Sequence, residues 1–256
     1  MQERHEPWLK RAANTAVSLG VVILIWWAVG ALGLTNTALF PTPREVLEAG
    51  LELWRDGLVL SDLRTSLTRA AVGFCIGASL GVITGLLTAR TRIFRLALNP
   101  FLTFLRPVPA IALVPVAIVW FGIGEPSKYF VIAYTVFLAV WLNTHHGIEH
   151  VGETYIRASR TLGATRFREF FEVVIPAAAP HIVAALRIGA ALAFLSLVAA
   201  ELTGASAGIG YRLQEARQFL RTDRMFVGLV ELGALGALID AGFVALGRRV
   251  IHWEQT

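Results

Sequence analysis

Long runs without charged residues are the feature that most constrains how this chain folds. Six stretches contain few or no Asp, Glu, Lys or Arg residues. A helix of about 20 apolar residues crosses the hydrocarbon core of a bilayer. Backbone groups inside lipid must bond within their own segment, so each stretch is predicted to be a helix and the fold class to be all-α. The predicted spans are residues 15–34, 70–89, 100–122, 129–147, 176–200 and 226–247.

The composition supports a polytopic membrane protein. Of the 256 residues, 55% are hydrophobic and 16% are charged, whereas soluble domains are about 25% charged. The mean hydropathy is +0.62. Basic loops at a membrane surface explain the net charge of +5 better than nucleic acid does, so we expect lipid contact and no nucleic acid partner. The single cysteine, Cys75, excludes a disulfide within the chain.

Loop charges predict the orientation of the chain. We divide it into an N-terminal tail of residues 1–14, a membrane domain of residues 15–247 and a C-terminal tail of residues 248–256. With the N-terminus inside, the inner segments contain twelve Lys and Arg residues and the outer segments contain nine. The positive-inside rule then places both tails, and the loop of residues 153–176, in the cytoplasm.

The third predicted span is rich in proline. Pro107, Pro109 and Pro115 each remove a backbone donor and kink a helix. The freed carbonyl groups need protein or water partners, which predicts a position inside the bundle beside a path. Arg106, just before the kinks, either lines a cavity there or extends its charge to the inner surface.

Two further charges lie deep in predicted spans. At the helical rise per residue, Arg187 is roughly 16 Å from one face and Asp240 roughly 12 Å from the same face. Unpaired charges at such depths are costly. We therefore expect Arg187 and Asp240 to form a buried ion pair, or both to face water in a cavity.

Glycines recur every four residues along the second predicted span. They are Gly73, Gly77, Gly81 and Gly85. This spacing forms a stripe without side chains, along which another helix can approach closely. The alternative is the general tolerance of membrane helices for glycine.

Nothing in the sequence predicts catalysis by this chain. There is no GxxxxGK[ST] motif and no convincing nucleophile–base group. His145, His146 and His150, with Glu149 and Glu153, could bind a metal, but a solvated helix end is the preferred interpretation and no metal site is expected. If the function of this protein needs ATP, we expect another subunit to hydrolyse it.

The stretch IRASRTLGATRFREFFEVVIP, residues 156–176, is amphipathic and basic in an otherwise apolar chain. An apolar helical stripe is formed by Phe167, Phe170, Phe171 and Val174. Thr165 can cap a second helix after a sharp bend at Gly163. The pattern predicts two short helices on the protein surface, and they are either a docking element or an interfacial helix without a partner.

This stretch resembles the cytoplasmic signature loop of bacterial ABC importer permeases. That pattern is E-A-A, three residues, G, nine residues and I-x-L-P, and here Arg157 replaces its glutamate. In that family the loop forms the coupling helix, which inserts into a cleft of the ATPase subunit. The resemblance assigns to this loop Arg157, Ala158, Ser159, Gly163, Ala164, Thr165, Phe167 and Pro176.

The resemblance extends to most of the chain. Residues 106–128, 142–148, 186–189 and 199–211 are similar to the sulfonate/taurine/nitrate branch of these permeases. It implies a type I importer permease fold with six transmembrane helices in a bacterial inner membrane. It also implies a translocation path, for which the candidate residues are Arg106, Pro107, Pro109, Arg187 and Glu201.

The partners implied by the resemblance are a second copy of the chain, two copies of an ABC ATPase and a substrate-binding protein, either periplasmic or lipid-anchored. ATP and magnesium would bind to the ATPase, and this chain would bind no cofactor. The implied substrate is a small anion, with an aliphatic sulfonate or taurine first. The alternatives are nitrate, bicarbonate or a vitamin precursor such as a pyrimidine or a flavin. A membrane scaffold or enzyme without an ATPase is the interpretation from another class.

Overall fold

The computed structural model describes residues 8–33, 36 and 39–250, and every regular element in these ranges is helical. The all-α prediction is confirmed. Parts of both predicted tails, residues 1–7 and 251–256, lie outside the described ranges. The elements are α1 (Trp8–Ala31), α2 (Pro43–Arg55), α3 (Leu58–Arg90), α4 (Arg92–Leu105), α5 (Ala110–Phe121), α6 (Glu125–Glu149), α7 (Glu153–Thr161), α8 (Arg166–Arg168), a π-helical segment (Glu169–Val174), α9 (Ile175–Gly204), α10 (Ile209–Gln218) and α11 (Thr222–Val250).

Four of the described helices are long and apolar enough to cross a membrane. They are Leu58–Arg90, Glu125–Glu149, Arg166–Gly204 and Thr222–Ala245, and the bent pair α4–α5 makes five if it is one span. The predicted span of residues 15–34 coincides with α1, but its described apolar part, Gly20–Ala31, is shorter than a span. Within the described residues, the predicted count of six is therefore not reached.

The chain divides into two compact units. The first comprises Met1–Leu60 and Arg212–Val230. Within it, α2 begins with a capping box, in which Thr42 accepts from the Glu45 backbone and Glu45 accepts from the Thr42 backbone. This helix is amphipathic. Its apolar face forms a cluster of Val46, Ala49, Leu53 and Val227.

The second unit, Ser61–Tyr211 and Glu231–Thr256, contains the glycine stripe of α3. All four of its glycines lie against α6. A Cβ atom at Gly77 would lie 2.4 Å from the Ala133 carbonyl oxygen, and one at Gly81 would lie 2.8 Å from Cβ of Val140. The predicted close approach of a second helix is confirmed, and the stripe has a packing role.

The proline-rich span is broken between α4 and α5. The two helices meet at 104°, and the break is at residues 106–109. The predicted kink is confirmed, although the turn is much sharper than one proline produces. The Leu105 carbonyl at the break accepts from the Val108 N–H at 3.0 Å and from the Tyr134 hydroxyl at 2.8 Å, so protein groups satisfy it.

Candidate functional site

The loop of residues 153–176 has the predicted helix–glycine–helix arrangement. Helix α7 ends at Thr161, and Gly163 has φ +81°, a left-handed conformation that favours glycine. The Gly163 N–H donates to the Arg160 carbonyl and the Ala164 N–H to the Ser159 carbonyl, each at 3.0 Å. These two bonds form a Schellman motif, which ends α7 and reverses the chain.

Thr165 begins the second helix. Its side chain accepts from the Arg168 N–H at 3.4 Å, which is the predicted N-cap. From Arg166 onward the helix continues without interruption through Pro176 to Gly204. The signature-like loop is therefore joined rigidly to a membrane-spanning helix, with no flexible connection between them.

The side chains of the apolar stripe differ in burial. Val174 is buried with Ile148 and Ala178, and Phe170 packs against them. Phe167 and Phe171 instead are exposed, and their ring centroids are 4.5 Å apart. The Phe171 ring also lies 5.2 Å from the Phe170 ring, so the aromatic part of the stripe stays together although the segment Glu169–Val174 is a π-helix.

Large apolar side chains project from the loop into solvent. Leu162, at the bend, is 88% exposed, Phe167 is 71% exposed and Tyr155 is 65% exposed. Phe167 also lines a cleft of about 830 Å³, together with Arg90, Arg160, Ala164, Arg166, Glu169 and Phe170. Exposed apolar groups beside a basic cleft form a surface suited to a protein partner.

The other motif residues have local roles. Arg157, at the position of the family glutamate, forms an exposed ion pair with Glu153 in the same helix. Ser159 is buried, and its hydroxyl donates to the Ile156 carbonyl at 2.8 Å. The Arg160 guanidinium donates to Glu169, and this hydrogen bond raises the pKa of Arg160.

Arg187 and Asp240 are in contact within the second unit. The guanidinium donates two hydrogen bonds to the carboxylate, Nε to Oδ1 at 2.6 Å and Nη2 to Oδ2 at 2.8 Å. The pair is not buried within this chain, because the side chains are 50% and 52% exposed. Both residues line a groove of about 500 Å³ between α9 and α11 whose other walls are mainly apolar.

Arg106 also has an exposed side chain, at the break between α4 and α5, with Pro107 and Pro109 exposed beside it. These three candidate residues of the translocation path are therefore accessible from outside the chain.

Glu201 lies in a closed polar network and is 1% exposed. It accepts from the Arg69 guanidinium at 2.8 Å, from the Ser66 hydroxyl at 2.8 Å and from the Gly210 N–H at 2.8 Å. A Cβ atom at Gly208 would lie 2.4 Å from Glu201 Oε1. Such an enclosed side chain does not line an open path, so the structure does not support Glu201 as a path residue.

This network explains the glycine-rich segment of residues 203–211. Arg69 also binds Glu125, Nη2 to Oε1 at 2.6 Å, and donates to the Ala207 carbonyl at 2.6 Å. Asp62 accepts from the Gly208 N–H at 2.8 Å. Sequence reasoning missed the network because its members are far apart along the chain. The available signal was Arg69, a charged residue immediately before the second predicted span.

A metal site is not evident in the structure. In the part of the chain that the structure describes, no group of three or more His, Cys, Asp or Glu side chains could hold a metal ion. His145 instead contacts the Thr88 hydroxyl through Nδ1 at 3.0 Å.

The bundle of apolar helices, the broken span and the helix–glycine–helix loop together define a multi-pass membrane transport protein. Residues 77–252 match the family described as binding-protein-dependent transport system inner membrane component. The chain belongs to this family, and it is a multi-pass inner membrane permease subunit of the ABC importer class.

Several bacterial permease sequences are similar over most of their length. SsuC of Bacillus subtilis (strain 168), a provisionally assigned aliphatic sulfonates transport permease protein, is 36% identical over 92% of this chain and 86% of its own. The taurine transport system permease protein TauC of Escherichia coli (strain K12) is 34% identical over 93% and 88%. The nitrate import permease protein NrtB of Synechocystis sp. is 32% identical over 96% and 91%.

Solved structures share the fold. A chain of the MetNI methionine ABC transporter, in an inward-facing conformation, has a TM-score of 0.59 and 22% identity, and the match covers 75% of this chain and 94% of that one. A chain of an amino acid ABC transporter solved with histidines has a TM-score of 0.62 and 18% identity, over 78% and 96%. The predicted type I importer permease fold is confirmed.

Proposed function

We propose that this permease subunit forms the translocation path for a small anionic solute, an aliphatic sulfonate or taurine first. Two copies of the chain would assemble with two copies of an ABC ATPase, which binds the ATP and magnesium. A periplasmic or lipid-anchored binding protein would deliver the solute. Both termini and the loop of residues 153–176 would lie in the cytoplasm. The names of the relatives that transport sulfonates and taurine support the substrate class.

The observation that carries the proposal is the exposed apolar surface of the loop. Leu162, Phe167 and Tyr155 are exposed on the loop, and the loop continues into a spanning helix. An ATPase that binds this surface can move the spanning helix directly, because no flexible segment between them has to be ordered first. Alternation between inward and outward states then follows from contacts that differ between the two states.

The proposed path includes the groove between α9 and α11 and the break at Arg106. Asp240 balances the charge of Arg187, so that pair offers an anion little net attraction. Arg106, exposed beside Pro107 and Pro109, is the proposed positive contact for the solute. Because a binding protein does most of the selection, the path only has to tolerate the anion and let it leave.

The principal alternative keeps this mechanism and changes the solute. The 32% identity with a nitrate import permease protein supports nitrate as the second candidate. Bicarbonate and vitamin precursors such as pyrimidines or flavins come after it. A membrane scaffold without an ATPase is the remaining alternative, and it predicts no coupling to ATP.

The substrate is tested by ATP hydrolysis in proteoliposomes. The chain, its co-purified ATPase and the binding protein are reconstituted together, and taurine, alkanesulfonates, nitrate and pyrimidine precursors are added in turn. Stimulation by sulfonates alone supports the proposal, and stimulation only by another solute assigns that solute instead. If no ATPase co-purifies with the chain, the importer assignment itself is contradicted.

The docking surface is tested by Leu162→Asp. A carboxylate at this 88% exposed position leaves the chain folded but places an unpaired charge in the proposed interface, so we expect at least a tenfold loss of ATPase in pull-downs from membranes. Leu220→Asp is the matched control, because Leu220 is 81% exposed and lies one span away. Equal ATPase recovery for the two variants would contradict the proposed interface.

A further inference from the structure

One carboxylate joins three segments at the base of the proposed coupling loop. Glu169 is 1% exposed and lies in the π-helical segment that leads into α9. Its Oε2 accepts from Arg160 Nε at 2.6 Å, and Arg160 belongs to α7. Its Oε1 accepts from Arg90 Nη2 at 2.8 Å, and Arg90 is the last residue of α3. Arg160 Nη2 also donates to Oε1 at 3.3 Å, so Arg160 holds both oxygens and Arg90 shares one of them.

The two arginines do not need Glu169 to satisfy their charges. The Arg160 side chain is 61% exposed and the Arg90 side chain is 35% exposed, so water can solvate both. Glu169, in contrast, is enclosed, and a buried carboxylate is stable only with charged or hydrogen-bonding partners. The junction therefore depends on Glu169, and its geometry is fixed by the enclosed carboxylate rather than by the exposed arginines.

A second ion pair joins the same two long helices at a position away from the loop. Arg69 of α3 binds Glu201 of α9 at 2.8 Å, and both side chains are buried. Helix α3 is thus held to the continuous helix Arg166–Gly204 through Glu169 near the loop and through Glu201 near the glycine-rich segment. Between these ties α3 packs on α6 along its glycines. A displacement that enters at Glu169 is passed to both helices together.

We propose that Glu169 is a positioning residue that transmits movement of α7 to α3 and α9. This inference rests on the proposed function, in which the ATPase moves the loop. With the junction intact, α7, the end of α3 and the start of the spanning helix move as one body. Without the charge at residue 169, α7 can follow the ATPase while α3 stays in place, and ATP is hydrolysed without transport.

The test is Glu169→Gln in the full complex with ATPase and binding protein, reconstituted in liposomes. The amide keeps the shape of the side chain but removes the charge that holds two guanidinium groups. Solute transported per ATP hydrolysed is measured for whichever solute stimulates the unmodified complex. We expect this ratio to fall about tenfold, which is typical of a lost coupling interaction, with co-purification of the ATPase retained. Glu172→Gln, an exposed glutamate in the same segment, is the control and is expected to keep the ratio within twofold.

A second variant keeps the proposal testable if Glu169→Gln does not fold. Arg160→Gln removes one arm of the junction at an exposed site, so the chain should fold, and the ratio should fall as it does for Glu169→Gln. The double variant should be no worse than either single one, because both changes break the same connection. Arg92→Gln, at an exposed arginine next to this region, is the control for the loss of a positive charge.

Each outcome decides the proposal. An unchanged ratio in Glu169→Gln or in Arg160→Gln overturns it. Loss of ATPase co-purification in Arg160→Gln also overturns it, since the junction would then serve assembly. If the unmodified chain recovers no ATPase, the proposed function fails first, and that result is seen before any variant is compared.

Discussion

At the scale of single residues, glycines and charges in this chain have different reasons for their positions. Glycine is favoured at residue 163 by the backbone conformation alone, because φ is +81°. Space is not the reason, since nothing lies within 4 Å of where a Cβ atom would be. Gly208 is required by both conformation and space, since φ is +114° and a Cβ would collide with Glu201. The sequence pattern alone identified the first and gave no reason for the second.

Substitution of Gly163 tests the left-handed bend. Asn adopts this conformation at low cost, whereas a β-branched residue is strained there by about 1–2 kcal/mol. We expect Gly163→Asn to bind the ATPase normally and Gly163→Val to bind it several-fold more weakly, measured by pull-down. The space around Gly163 is open, so a defect in Gly163→Asn equal to that of Gly163→Val would show that the bend is not what matters.

At the scale of helices, the spacing of residues predicted local features of single helices and one ion pair, but not the ion pairs that join α3 to distant segments. The glycine stripe of α3 and the cap at Thr165 follow from patterns within a few residues, and both are present. The contact between Arg187 and Asp240 could be predicted because the depth of each charge follows from its distance to the helix end. The contacts that join α3 to Glu169 and Glu201 could not be predicted in this way, since Arg90 and Arg69 lie 79 and 132 residues from the carboxylates they bind.

The contact between α3 and α6 is tested by Gly77→Ala. The added Cβ would lie 2.4 Å from the Ala133 carbonyl oxygen, a backbone atom that cannot move independently of α6. Overpacking of this kind destabilises by about 1–3 kcal/mol. We expect a lower Tm in detergent for Gly77→Ala, whereas Gly20→Ala, where nothing lies within 4 Å, should leave Tm within a degree or two of the unmodified protein. An unchanged Tm for Gly77→Ala would show that the helices separate at little cost.

At the scale of the whole molecule, composition was sufficient to predict an all-α membrane protein. The number of spans was harder to predict, because apolar runs do not show where a helix breaks. Residues 100–122 read as one kinked span, but α4 and α5 meet at 104°. The sharpness of that turn depends on packing around the break, such as the hydrogen bond from Tyr134 to Leu105.

The orientation of the chain is tested by cysteine labelling. In a Cys75→Ala background, Leu162→Cys and Leu220→Cys place single thiols at highly exposed positions. The spanning helix Arg166–Gly204 separates these positions, so they should lie on opposite sides of the membrane. With an impermeant maleimide on spheroplasts, we expect labelling of Leu220→Cys alone, and labelling of Leu162→Cys only after permeabilisation. The reverse pattern would place the proposed coupling loop outside the cell.

The glycine stripe also determines how the protein responds to cold. Apolar contacts made in water weaken on cooling, because their driving force comes from the release of hydrating water and carries a large heat-capacity change. Helices α3 and α6 meet inside lipid, where no such water is released and close van der Waals contact stabilises the pair. This part of the bundle should therefore keep its strength at low temperature while contacts in the aqueous loops become weaker.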